Sequence, residues 1–220
     1  MTTSHTLYSF RRCPYAMRAR MALLVSAIPF AVREVALRRK PAELLAASPK
    51  ATVPVLVSAA RETLDQSLDI MHWALSLNDP EHWLAGDDTS LIQAFDDRFK
   101  YHLDRYKYAE RFAVDPIEHR QAGFALLLLL EERLAVHPNL CRAARSLTDI
   151  AVFPFVRQFA AVDRRWFDVQ PISSVQGWLA RHIASPLFEQ SMTRLKPWSP
   201  GDAPIIWPNH LATSVAIEAR

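Results

Sequence analysis

The chain has 220 residues, half of them hydrophobic and 22% charged, with only four glycines. That composition excludes collagen-like, low-complexity and broadly disordered classes and supports one large domain or two of roughly 80 to 130 residues. Its 26 basic and 23 acidic residues are interspersed and leave a formal charge of +3, which argues against a nucleic-acid surface. Two cysteines, Cys13 and Cys141, cannot form a disulfide framework and lack the paired spacing of a structural zinc site. The amino terminus meets Ser9 and Arg11-Arg12 before any long apolar run, unlike a signal peptide, so a reducing, cytoplasmic location is expected. The greasiest stretch, Phe124 to Leu130, ends at Glu131-Glu132-Arg133 and is too short to span a bilayer.

In chain order, Thr6 to Phe10 alternates and is aromatic-rich, which predicts a strand. Pro14 then sits where a first-turn proline is tolerated, and Met17, Met21, Leu24, Val25 and Ile28 recur at helical spacing until Pro29. Ala31 to Leu37 is a second strand, so the opening reads as a parallel βαβ unit. Pro41 to Ala47 is a short helix, Val53 to Val57 and Glu62 to Leu64 form a hairpin, and Gln66 and Ser67 open a helix whose buried face runs from Ile70 to Leu77.

A linker over 78–90, centred on Gly86-Asp87-Asp88, separates this first domain (1–77) from a second (91–220) that is helical in pattern. Its helices are expected at Leu91 to Tyr106, Ile117 to Val136, Leu147 to Ala161 and Val175 to Ile183, with an irregular proline-rich tail from Pro197. Ser146, followed three residues later by Asp149, is a capping box at the start of one of them.

Cys13 falls between a strand and a helix, where the amide end of the helix and the nearby Arg11, Arg12, Arg18 and Arg20 favour a thiolate. The residues alone leave a second reading open, that of a buried, inert cysteine. Pro54 inside a strand is either a cis proline that turns Val53 outward to pair with an extended peptide, or an ordinary trans edge proline. Gln66 and Ser67 either bind a carboxylate at a helix start or merely cap it. Tyr101, Arg105 and Tyr108 share a helix face that lines an acceptor pocket or packs against another helix, and Trp207 is a candidate to close such a pocket. No histidine pair has metal-ligand spacing beside a carboxylate, so no metal is expected.

Cys13-Pro14-Tyr15-Ala16, Thr52-Val53-Pro54-Val55-Leu56 and Asp65-Gln66-Ser67, in that order, resemble the cysteine-type, omega-like and glutaredoxin-like members of the glutathione transferase superfamily. The resemblance implies a thioredoxin-like βαβαββα domain with a mixed four-stranded sheet and cis Pro54, followed by an all-helical bundle that contains the capping box. It also implies glutathione as co-substrate, with Cys13 as redox thiol and Val53 pairing with the cysteinyl backbone. Ser67 with Gln66 would hold the γ-glutamyl carboxylate, Lys40 would face the glycyl carboxylate, and Tyr15, Tyr101, Arg105 and Tyr108 are candidate acceptor contacts. Gln66 departs from the acid common at that position, and no second cysteine follows Pro14, which leaves a monothiol mechanism.

The expected activity is a glutathione-dependent thiol transferase or reductase, with a small hydrophobic or disulfide substrate and a homodimer as the assembly. The alternatives are conjugation to electrophiles, for which Tyr8 is the rival catalytic residue and Ser9 a lesser one, and a non-catalytic binding or regulatory module.

Overall fold

The computed structural model describes residues 4–208. The described residues up to Pro80 and from Gln190 onward form one compact unit, and Glu81–Glu189 form a second. Among the described residues, no helix is long and apolar enough to cross a membrane.

The first unit runs β1 (His5–Ser9), α1 (Pro14–Val25), β2 (Phe30–Glu34), α2 (Ala42–Ala47), β3 (Val55–Val57), β4 (Thr63–Leu64) and α3 (Ser67–Leu77). β1 and β2 are parallel in the register Leu7↔Val32 and Tyr8↔Arg33, while β3 and β4 add antiparallel strands on the other side. Successive strand side chains point to opposite faces. The His5 ring lies 5.0 Å from Trp73 of α3, and Ser9 Oγ accepts a 2.6 Å hydrogen bond from Arg20 of α1, so the His5, Leu7 and Ser9 face looks toward α1 and α3. Tyr8 points the other way, into a cluster with Leu44 of α2, Val35, Val53 and Val55.

α1 is buried almost all round, which forces its two buried arginines to find partners. Arg20 pairs with Glu34, donates to Ser9 Oγ and to the Ser191 carbonyl at 3.0 Å, and lies over the Trp207 ring. α1 ends at Val25, earlier than the expected stop at Pro29, because Ala27 takes a left-handed conformation (φ 53°) that closes the helix.

The sheet has five strands rather than the expected four. Ile205–Trp207 forms β5, antiparallel to β2, giving the order β4-β3-β1-β2-β5. The described part of the stretch from Pro197, expected to be an irregular tail of a helical domain over 91–220, thus contains a strand and belongs with the first unit. Trp207 is correspondingly no pocket lid: its ring packs edge-on against Phe30, 6.1 Å between centroids.

In the second unit, a short 3₁₀ turn (Trp83–Gly86) leads to α4 (Thr89–Ala94), a π-turn (Phe95–Phe99) and α5 (Lys100–Lys107). α6 (Ala109–Phe112), α7 (Pro116–Leu134), α8 (Leu147–Ala160), α9 (Arg164–Asp168) and α10 (Ser173–Ile183) follow, and α11 (Pro186–Ser191) leads out. The expected stripe of Leu91, Phe95, Phe99, Leu103 and Tyr106 is buried, with Phe99 packed on Phe159 of α8. The capping box of Ser146 and Asp149 is formed, and the fully buried Asp149 carboxylate also accepts from Leu140 N–H and Trp178 Nε1, both at 2.9 Å. Thr148 Oγ1 donates to the Gly86 carbonyl at 2.7 Å and accepts from Asp88 N–H at 2.8 Å, which ties the start of α8 to the turn before α4.

Candidate functional site

Cys13 is the residue just ahead of α1, half-buried, with extended backbone (φ −76°, ψ 124°). Its carbonyl accepts from Met17 N–H at 2.9 Å, so the helix begins at the cysteine, and Pro14 at the first position removes a donor the helix could not use. The thiol donates to the Val53 carbonyl at 3.6 Å. The peptide between Val53 and Pro54 is cis rather than trans. Val53 N–H has no hydrogen-bond partner among the described residues. A half-buried thiol and an unpaired backbone donor thus stand together, joined through one residue.

Ser67 is the first residue of α3 and is buried. Its Oγ accepts from Arg18 Nε at 3.0 Å, so the hydroxyl proton remains to be donated elsewhere. Arg18 was counted in the sequence only as local positive charge; burial makes it a support for Ser67, and the signal for this was a basic residue on the otherwise apolar α1. Gln66 is exposed at the cap position and makes no capping bond with its side chain. The neighbouring Asp65 accepts from Ser48 Oγ and from Lys50 Nζ, both at 2.8 Å, and these bonds, the lysine first, hold its carboxyl below the usual range. Lys40 is exposed in the loop before α2, and Tyr15 is half-buried with the Arg18 guanidinium 5.0 Å from its ring centroid.

The expected accumulation of positive potential is weaker than the sequence suggests. Arg20 is charge-matched by Glu34, while Arg18 keeps its charge and is bound to Ser67. The rival hydroxyls each accept a hydrogen bond from an arginine. Tyr8 lies on the α2 face with its oxygen accepting from Arg33 at 2.6 Å, and burial pushes its pKa up, offset in part by that guanidinium. Ser9 is fully buried beneath Arg20.

In the second unit, the Arg105 guanidinium sits 3.5 Å over the Tyr101 ring and 4.5 Å over Phe112. Tyr101 also stands edge-on to His102 and His119, whose Nδ1 atoms are 2.9 Å apart. Tyr108 lies past the end of α5, at its cap, so the three expected acceptor residues do not lie on one continuous helix face.

A thioredoxin-like unit with a cysteine at the start of α1 and a cis proline before β3, joined to a helical unit, defines the glutathione transferase fold. Residues 7–82 match the family model described as "Glutathione S-transferase, N-terminal domain". A comparison with curated protein sequences finds no match. Among solved structures, the chain is similar to a glutathione S-transferase from Rhodospirillum rubrum F11, with 21% identity and a TM-score of 0.69 over 89% of this chain and 94% of that one. It is also similar to a glutathione transferase family member from Pseudomonas fluorescens pf-5 with two glutathione molecules bound, at 17% identity and TM-score 0.72 over 87% and 93%. FzlA from C. crescentus matches at 21% identity and TM-score 0.73 over 92% and 96%.

Proposed function

We propose that this protein is a glutathione-dependent thiol transferase in which Cys13 is the nucleophile. The observation that carries the reading is the Cys13 thiol bonded to the carbonyl of Val53, whose N–H lacks a partner among the described residues and can pair with an extended tripeptide as an added strand does. Glutathione bound by the Pseudomonas fluorescens neighbour supports the same ligand here. Ser67, braced by Arg18, would donate to the γ-glutamyl carboxylate with Gln66 beside it, and Lys40 would face the glycyl end. Tyr15 in the first unit, and Tyr101, Arg105 and Tyr108 in the helical unit, are the candidate acceptor contacts. We place the protein in the cytoplasm as a homodimer, acting on a small hydrophobic or disulfide substrate.

In the proposed cycle the Cys13 thiolate attacks the glutathione sulfur of a glutathionylated disulfide, forming Cys13–S–S–glutathione and expelling the substrate thiolate. A glutathione thiolate then attacks the glutathione sulfur of that mixed disulfide, which releases glutathione disulfide and restores the Cys13 thiolate. Ionising the thiol breaks its bond to the Val53 carbonyl, and the first-turn amides of α1 then offer the sulfur the compensating partial charge. Conjugation through a tyrosine hydroxyl is disfavoured by the Tyr8–Arg33 bond, which holds that hydroxyl on the α2 face.

The test is a panel assay of wild type and Cys13→Ser against a glutathionylated disulfide, dehydroascorbate and an aryl halide. Reductase activity should vanish in the variant while the melting temperature holds. Equal reductase rates, or aryl-halide conjugation as the dominant activity unaffected by the substitution, would reject the thiol mechanism.

A further inference from the structure

The α2 face of the sheet, away from α1 and α3, carries a cavity of about 660 Å³ that includes none of the residues assigned to glutathione. That volume is in the range of small-ligand sites, roughly 300–1,000 Å³. Its walls combine apolar surface from Ala47 and Val57 with Tyr8, Arg33, Glu43 and Arg61.

The polar groups there are incompletely satisfied, in a complementary way. Glu43 lies in the first turn of α2, and its Oε2 is buried with no hydrogen-bond partner, a state that costs free energy until a donor arrives. Tyr8 accepts from Arg33, and Arg33 is in turn clamped 3.9 Å over the Trp198 ring, so the phenol is held in place while its own proton has no acceptor among the described residues. Arg61 sits at the tip of the turn between β3 and β4, in a left-handed conformation (φ 66°) pinned by its N–H bond to the Ser58 carbonyl at 2.9 Å. Its guanidinium makes no ion pair among the described residues. One wall therefore lacks a donor and the others lack an acceptor, with apolar surface between them.

We propose that this cavity is a second binding site that takes a zwitterion with an apolar body, of the class of a hydrophobic amino acid or dipeptide. The ligand's ammonium pairs with Glu43, its carboxylate is held by Arg61 and the Tyr8 hydroxyl, and its side chain lies on Ala47 and Val57.

The test is isothermal titration of the full-length protein with leucyl-phenylalanine, for wild type, Glu43→Gln and Arg61→Met, each checked for an unchanged thermal transition. Arg61 is exposed, so its variant keeps the proposal testable if Glu43→Gln unfolds. Saturable binding should weaken at least about tenfold in each folded variant, the scale of one lost charged hydrogen bond. It should weaken similarly when the dipeptide is acetylated and amidated, and persist with glutathione in excess. Absence of saturable binding in wild type, undiminished binding in the folded variants, or displacement by glutathione overturns the proposal. Because the readout does not involve Cys13, failure here leaves the thiol-transferase reading untouched, and the reverse.

Discussion

His182 on α10 gives the helical unit a calculable sensitivity to acid. Its side chain is buried between the rings of Phe153 and Trp178, 5.3 and 5.1 Å away, and its Nε2 has no hydrogen-bond partner. Burial first, then the positive charge of Arg145 and Arg181, lowers its pKa to about 3. In the unfolded chain the ring titrates near 6.5, so between these values the unfolded state holds the extra proton and stability falls as pH falls. The contribution is fully present above about pH 6.5, and the loss amounts to about 2 kcal/mol at pH 5 and about 3 kcal/mol at pH 4 at roughly 1.4 kcal/mol per pH unit. Phenylalanine fits the same aromatic surroundings and cannot take a proton. Urea unfolding of wild type and His182→Phe at pH 7, 5 and 4 should therefore show curves that are close at neutral pH and separate by those amounts in acid, with the wild type the weaker. Parallel stability at all three values would mean that the buried ring is charged or solvated, and the argument from burial would fail.

Four further outcomes follow from the packing. Asp149→Ala strips the acceptor from Ser146 N–H and Oγ, Leu140 N–H and Trp178 Nε1, and should cost about 3–5 kcal/mol of stability in denaturant unfolding. Gly86→Ala would bring a new Cβ to 2.4 Å from Ser146 Cβ, and should cost about 1–3 kcal/mol in the same assay as the turn is forced off α8. Arg20→Met leaves Glu34 buried without its ion-pair partner, with only the Arg11 N–H donor remaining among the described residues, and a loss of about 3–5 kcal/mol with faster hydrogen exchange at β5 is expected. Ser67→Ala should weaken glutathione binding by about 1–3 kcal/mol by titration calorimetry; unchanged affinity would remove Ser67 from the site.

What was legible in the sequence was local. The strand, cysteine, proline and helix from Thr6 to Val25 follow from short-range rules, as does the capping box, because partners three or four residues apart are set by backbone geometry. Partners fixed by distant pairing were not legible. Ile205–Trp207 is three residues in a proline-rich stretch, and only the open edge of β2, far back in the chain, makes it a strand. Tyr8 and Arg33 meet because β1 and β2 are in parallel register, so the bond from Arg33 to the Tyr8 hydroxyl could not be read before that register was known. Arg18 and Arg20 read in the sequence as positive potential near Cys13, yet both are buried in α1, where they bracket Ser67 and Glu34. The acceptor trio failed as one face because α5 ends at Lys107, ahead of Tyr108.

The return of the tail to β2 has a consequence for how the protein is made and cut. The thioredoxin-like unit is discontinuous, since its outer strand leaves the ribosome only after the whole helical unit. Until then the β2 edge is bare and Arg20 lacks the Ser191 carbonyl. A fragment stopped at Pro80 thus ends with the β2 rim unprotected against other chains, and removing Ile205–Trp207 from the far end of the chain injures the amino-terminal unit.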